Sequence, residues 1–348
     1  MNEMHAREWI ESYKGPRVRI MEVCGTHTHE IFKLGIRNIL PEAVTLISGP
    51  GCPVCVTPCG FLDEAIWLAE EKAVTICTFG DLVRVPGSRM SLADLRSKGH
   101  RVKIVYSPMD AVDYAKAHPE EEVVFLSVGF ETTTPAACLA VSLAKESGIG
   151  NFSLLTANKT MPKAYEALKE SADVFLYPGH VNAVAGTRVC EDLVRDGISG
   201  VVAGFRAEEL LRALAVALLG FLKGRPFFAN CYPGVVKKEG NREAQELVDR
   251  LMTVCDGEWR GLGRISDSGL TLRESWKDFD ARKRFDMPKI VGHNHPACRC
   301  GEVLQGSCRP VDCPLFGGAC APSHPVGACM VSGEGACSAY YQYGGFQI

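Results

Sequence analysis

Long apolar runs are missing from this sequence. No stretch approaches the roughly 20 apolar residues that a membrane span needs. The longest, 210–222, is interrupted by Arg212 and reads as a buried helix. The first residues, MNEMHAREWIESYKG, carry three acids and no apolar core of the kind a signal peptide requires. Charge of one sign is scarce too. The net value is −3, which gives no electrostatic argument for nucleic acid or an anionic membrane surface. A phosphate-binding loop of the G-x-x-x-x-G-K-S/T form is also absent, so any use of ATP is expected on a partner. The expectation that remains is a cytoplasmic globular chain. Its 348 residues, 46% hydrophobic and 23% charged, suffice for two or three domains.

What the sequence has in excess is cysteine, sixteen in all. In a reducing compartment a cysteine-dense chain binds metal or does redox chemistry more often than it forms structural disulfides. Cys77, Cys138, Cys190, Cys231 and Cys255 stand singly in apolar or helical contexts and read as small buried hydrophobes. The others gather at the two ends. Cys24, Cys52, Cys55 and Cys59 lie near the start, and Cys298, Cys300, Cys308, Cys313, Cys320, Cys329 and Cys337 crowd the tail.

Between residues 17 and 235, β-rich runs alternate with amphipathic helical stretches. The strands are expected at 18–23, 44–48, 73–78, 102–106, 123–128, 153–156, 174–177 and 200–203. Helical periodicity falls at 61–72, 109–118, 135–147, 162–171 and 207–223. Several strands are continuous apolar runs, as in parallel sheets covered on both faces. The pattern predicts an α/β fold: two similar parallel-sheet domains, 17–110 and 111–235, and a small C-terminal domain, 236–348. That last segment opens with an expected helix at 242–255 and then loses clear periodicity. A tail so poor in regular pattern needs a staple, and a metal centre supplies one.

Seven tail cysteines leave open which four would hold a cubane. The tail has no paired C-x-x-C knuckles, which structural zinc sites usually show. Pro and Gly beside the cysteines permit close backbone approach, and Leu315, Phe316, Met330 and Val331 offer apolar shielding. Iron–sulfur is favoured on these grounds. Zinc, with His293, His295 or His324, and simple buried thiols stay open.

The other chemistry sits at strand ends, where open parallel sheets bind ligands. Cys24-Gly-Thr-His27-Thr-His29 follows a strand and opens a helix, whose N–H groups lower a thiol pKa. The two histidines share a face only if that segment is extended. Cys52-Pro-Val-Cys55 follows a Gly-Pro-Gly turn and has the spacing of a redox dithiol, or of half a zinc site. Glu131 lies in Gly-Phe-Glu-Thr-Thr-Thr-Pro, where helix N-capping accounts for the threonines, and His180 follows Pro-Gly at another strand end.

Taken together, MEVCGTHTHEI (21–31), GPGCPVC (49–55), GFETTTP (129–135), YPGHV (177–181) and CPLFGGAC…PVGACMVSGEGAC (313–337) resemble the HypD family of [NiFe]-hydrogenase maturation proteins. The resemblance runs from near residue 20 to the C-terminus. It implies a scaffold that assembles the Fe(CN)2CO unit of the hydrogenase with a HypC-type small chaperone and a HypE-type cyanide donor. It also implies two α/β domains and a third holding a [4Fe–4S] cluster, with residues 1–16 packed on that third domain. The family's C-x14-C-x6-C-x16-C pattern falls on Cys298, Cys313, Cys320 and Cys337, with Cys300 close enough to Cys298 to be a rival ligand. Its three functional thiols fall on Cys24, Cys52 and Cys55, while Cys59 lies outside.

A division of labour follows from that resemblance. Cys24 binds the transient iron, Cys52 and Cys55 cycle between dithiol and disulfide, and the cluster supplies electrons. His27, His29, Glu131 and His180 donate protons or hydrogen bonds to bound cyanide. The chain is expected to be a monomer outside its complex. A different class of reading is a stand-alone [4Fe–4S] thiol–disulfide oxidoreductase; it would use the C-x-x-C but have no need of Cys24 and its histidines.

Overall fold

Two parallel sheets form the body of the molecule, and the computed structural model describes residues 3–344. The expected strands are present as β1 (Val18–Glu22), β2 (Val44–Ser48), β3 (Thr75–Thr78), β4 (Val102–Ile104), β5 (Val123–Ser127), β6 (Phe152–Thr156), β7 (Val174–Pro178) and β8 (Gly200–Ala203). Every residue of β3, β5, β6, β7 and β8 is buried, as helices on both faces of a parallel sheet require. A short further strand, β9 (Phe228–Asn230), escaped the sequence pattern because it is only half-buried.

The sheet orders are β2-β1-β7-β8-β9 and β4-β3-β5-β6. The chain therefore leaves the first sheet after β2, builds the whole second sheet, and returns. This corrects the expected division at 110/111, which falls between β4 and β5 inside one sheet. A buried parallel strand reads alike whichever sheet receives it. Adjacency in sequence predicts adjacency in space for only roughly two-thirds of strands.

The N-terminal helix Glu3–Glu11 is corrected as well. Its Ala6 and Ile10, four residues apart on one face, pack with Leu210, Leu214 and Leu218 of the helix Ala207–Phe221. It covers the five-stranded sheet rather than the C-terminal segment.

Beyond residue 236 the expected helix ends early, as Arg242–Leu251. Residues from Met252 enter an antiparallel hairpin, β10 (Met252–Trp259) and β11 (Gly263–Leu272). Its register runs from Met252 opposite Leu272 to Trp259 opposite Gly263 and breaks between Cys255 and Gly257. That break destroys the alternation by which a strand is recognised. The cysteine-rich tail then runs through short helices, among them Cys300–Leu304, and closes with Ala336–Tyr343. This last helix lies on the helix Gly25–Lys33 through Phe32 and Tyr340, ring centroids 4.6 Å apart. The tail is thereby brought to the carboxyl end of β1.

Candidate thiol and metal site

Cys24 is the extended residue that caps the helix Gly25–Lys33 immediately after β1. Its position is fixed two residues upstream by Glu22, which is fully buried. The Glu22 carboxylate accepts from Arg37 at 2.5 Å, Thr28 Oγ1 at 2.8 Å and Ser48 Oγ at 3.1 Å. The Gly49–Cys55 loop crosses directly over Cys24. The Gly25 amide donates to Gly51 O at 3.1 Å, and a Cβ at Gly51 would stand 2.2 Å from the Cys24 nitrogen. Only glycine permits that approach. Burial pushes the Cys24 thiol up to about 12, opposed by the backbone N–H groups of His27 and Thr26 and by the Thr26 hydroxyl. Without a cation the residue is a thiol, and it sits where helix amides will stabilise the thiolate once one arrives.

His27 points inward. Its Nε2 lies 3.0 Å from Gly204 O, its Nδ1 is buried without a hydrogen-bond partner, and burial lowers its pKa to about 4. The ring is therefore neutral, with Nε2 donating and Nδ1 free to accept. Phe205 lies between buried His27 and exposed His180, with centroids 4.8 Å from His27 and 3.8 Å from the stacked His180. Burial also lowers His180. His29 is separated from this group. The segment is helical, so two residues are a rotation of about 200°, and His29 packs edge-on against Tyr343 at 5.3 Å.

Glu131 Oε1 accepts from the Met161 amide at 2.9 Å, while Oε2 is buried without a partner. Burial raises this carboxyl to about 7. Thr133 and Thr134 do not cap the following helix with their side chains; both donate to Phe130 O instead.

Cys52 and Cys55 are buried, and with Cys300 and Cys329 they belong to one apolar core that Cys298 and Cys337 also touch. Cys300 and Cys329 stand 3.1 Å apart at sulfur. Cys55 Sγ donates to Ala328 O, beside Cys329, at 4.0 Å, and Cys55 acts electrostatically with both Cys329 and Cys52. Hydrogen bonds from Cys300 and Cys55, aided by Arg260, pull Cys329 well below the ordinary thiol range. Its neighbours Cys55 and Cys300 are pushed up. Cys329 is thus the most readily ionised thiol of the series. Cys59 stands outside it and donates to Asn294 Oδ1 at 3.0 Å.

Cys298, Cys300, Cys313, Cys320, Cys329 and Cys337 line one cavity, walled by Val303, Leu315, Phe316 and Met330. The Val326 amide donates to Cys320 Sγ at 3.3 Å, and Gly327 leaves room for Cys298 Sγ, 2.9 Å from where a Cβ would stand. Among the described residues, no three His, Cys, Asp or Glu side chains are gathered tightly enough to hold a single metal ion. A zinc site needs four donors within about 2.3 Å of one point. Thiols spread around an apolar cavity, with none of His293, His295 or His324 in its wall, instead suit the donor set of a cluster.

The profile of a family described as "HypD: Hydrogenase formation hypA family" matches residues 3–344. The chain belongs to the HypD family. The hydrogenase maturation factor HypD of Escherichia coli (strain K12) is 43% identical over 348 residues, covering 97% of this chain and 93% of that protein. HypD of Azotobacter vinelandii is 41% identical over 354 residues, covering 98% and 93%. The same figures describe the hydrogenase expression/formation protein HupD of Azotobacter chroococcum mcd 1.

Against the HypD motifs, sequence reasoning missed several contributors. Cys300, two residues from Cys298, was legible as a rival for that position, whereas Cys329 was simply left over by spacing. Phe205 and Arg260 carried no motif. Glu334, three residues before Cys337, accepts from Thr26 Oγ1 at 2.6 Å and acts electrostatically on both Cys24 and His180. It ties the cysteine tail to the Cys24 helix.

Proposed function

We propose that this chain is a hydrogenase maturation factor that assembles the Fe(CN)2CO unit of a [NiFe]-hydrogenase. Cys24 holds the iron, a HypC-type small chaperone shares it, and a HypE-type partner delivers cyanide. The chain works in the cytoplasm and is a monomer outside that complex. The observation that carries this reading is a series of neighbouring thiols packed in one core. It runs from the tail cavity through Cys300, Cys329, Cys55 and Cys52 into the loop whose Gly51 rests on Cys24.

Iron is the cargo. Loading it on Cys24 displaces the thiol proton, and the amides of Thr26 and His27 stabilise the sulfur that remains. Thiolate is a soft ligand suited to that task. Glu131, raised to about 7 and so only partly ionised at neutral pH, donates a hydrogen bond toward cyanide nitrogen in its protonated form, and His180 and neutral His27 complete the polar lining. His29, turned toward Tyr343, serves the packing of the last helix.

A [4Fe–4S] cluster on Cys298, Cys313, Cys320 and Cys337 supplies single electrons when bound. The thiols themselves exchange in pairs. With Cys52–Cys55 oxidised, the Cys329 thiolate attacks Cys55 Sγ, the disulfide breaks, and Cys52 leaves and takes up a proton. Cys300, giving up its proton, then attacks Cys329 and releases Cys55. One disulfide has formed at Cys300–Cys329 and one has been reduced, with two electrons transferred.

The test is infrared spectroscopy of the chain co-purified with its small partner. Cys24→Ala is expected to abolish the iron–cyanide bands and to leave the cluster absorbance intact. Retained bands in that variant would overturn the assignment. A wild-type complex with disulfide reductase activity and no iron–cyanide bands would favour the stand-alone oxidoreductase.

A further inference from the structure

A second cavity, of about 320 Å³, opens between the carboxyl end of β6 and the β10–β11 hairpin. None of the cluster-pattern cysteines, nor Cys24, Cys52 or Cys55, lines it. Its volume is that of a small-molecule site, and its place at the end of a parallel strand is where such sites form.

Lys159 lies on its wall and is only 3% exposed. Among the described residues its ammonium has one hydrogen-bond acceptor, Ala157 O at 3.2 Å, and no ion pair. The group stands 5.7 Å from the centre of the Trp259 ring. An ammonium has three donors, so two are unfilled, and a buried charge without a counter-ion is costly. Desolvation accordingly drives Lys159 down to about 7. A ligand that brings a negative charge would remove that cost.

The other charges fix the valence of the ligand. The Arg282 guanidinium is already engaged by Glu64 at 2.7 Å and by Thr156 O at 3.0 Å, so it contributes no free positive charge. Glu258 is exposed on the same cavity and acts electrostatically on Lys159. Asp256 on the same wall is paired with Arg264 at 2.5 Å. Glu258 lies in solvent, where it is screened, and among the described residues it makes no ion pair with Lys159. The buried ammonium therefore takes one negative charge, and a dianion would be repelled by Glu64 and Glu258. Phe61 and Ile290 add apolar wall for a carbon chain.

We propose that this cavity binds a small monocarboxylate, its carboxylate on Lys159 Nζ and its carbon chain against Phe61 and Ile290. The proposal is independent of the assembly of iron at Cys24.

The experiment is calorimetric titration of the full chain with straight-chain carboxylates from acetate to hexanoate, with inorganic phosphate as the dianionic arm. Saturable binding is expected, tightening roughly fourfold per added methylene as apolar surface is buried. Phosphate is expected to bind more weakly than hexanoate, and Lys159→Met to bind hexanoate at least tenfold more weakly. Protection of Lys159 from reductive methylation by hexanoate, measured on the wild-type chain, reads the same contact if the variant fails to fold. No saturable binding, phosphate binding tighter than hexanoate, undiminished binding by a folded Lys159→Met, or no protection of Lys159 would each overturn the proposal.

Discussion

Cys300 and Cys329 are 29 residues apart in sequence, yet their sulfurs stand 3.1 Å apart on the wall of the tail cavity, in the core they share with Cys52 and Cys55. Neither belongs to the cluster pattern or to the C-x-x-C motif. Their placement turns two separate cysteine groups into one series, with Cys329 in contact with both Cys300 and Cys55.

That contact predicts which mixed disulfide can be trapped. Replacing Cys52 and Cys300 together by Ser leaves Cys55 and Cys329 facing each other without their resolving partners. Mild oxidation of this double variant is expected to join Cys55 to Cys329, identified by mass spectrometry of the linked peptides. If both thiols stay free while other cysteines cross-link, the proposed order of exchange is wrong.

A second prediction concerns the scaffold beneath Cys24. Glu22 is fully buried and depends on Arg37, Thr28 and Ser48 for every described side-chain contact to its oxygens. Arg37→Met leaves that carboxylate without a counter-charge and is expected to destabilise the chain by about 3–5 kcal/mol. Adding Glu22→Gln to the same variant removes the stranded charge and should recover much of the loss. Urea unfolding midpoints of the single and double variants measure both effects. A double variant no more stable than Arg37→Met would mean that packing, rather than charge, sets the cost.

The same region shows why some of the design is legible in sequence and some is not. Cys24, Cys52 and Cys55 announce themselves because a strand end, a glycine turn and a thiol spacing are local features. Eight strands were readable for a similar reason, since each is a short apolar run. Which sheet a strand joins depends on partners more than a hundred residues away: β1 pairs with β7, Met21 opposite Phe175, and nothing in either segment records it. The fate of His29 turned on whether its segment is helical. Lys159 gave no signal at all, because a lysine ordinarily lies in solvent and only the folded hairpin buries it.

Glu131 yields a pH prediction whose sign can be worked out. Burial raises its carboxyl from the ordinary 4.5 to about 7. Below about 4.5 it is protonated in both folded and unfolded chains and makes no difference. Between about 4.5 and 7 the unfolded chain ionises while the folded one keeps its proton, so this residue's contribution to stability falls as pH rises and levels off above 7. The loss is on the order of 3 kcal/mol. His27 acts in the opposite direction: with a pKa lowered from 6.5 to about 4, its neutral folded form is penalised as pH falls below about 6.5. The wild-type profile therefore mixes the two, and the informative quantity is the difference from Glu131→Gln. The amide oxygen still accepts from the Met161 N–H, and the variant has no proton to lose. Its stability relative to wild type is expected to rise from pH 4.5 to pH 7.5 by a few kcal/mol, read from urea midpoints across that range. A difference that does not change with pH would show that Glu131 titrates in the folded chain as it does in the unfolded one and is ionised at neutral pH, and would remove it as a proton donor to bound cyanide.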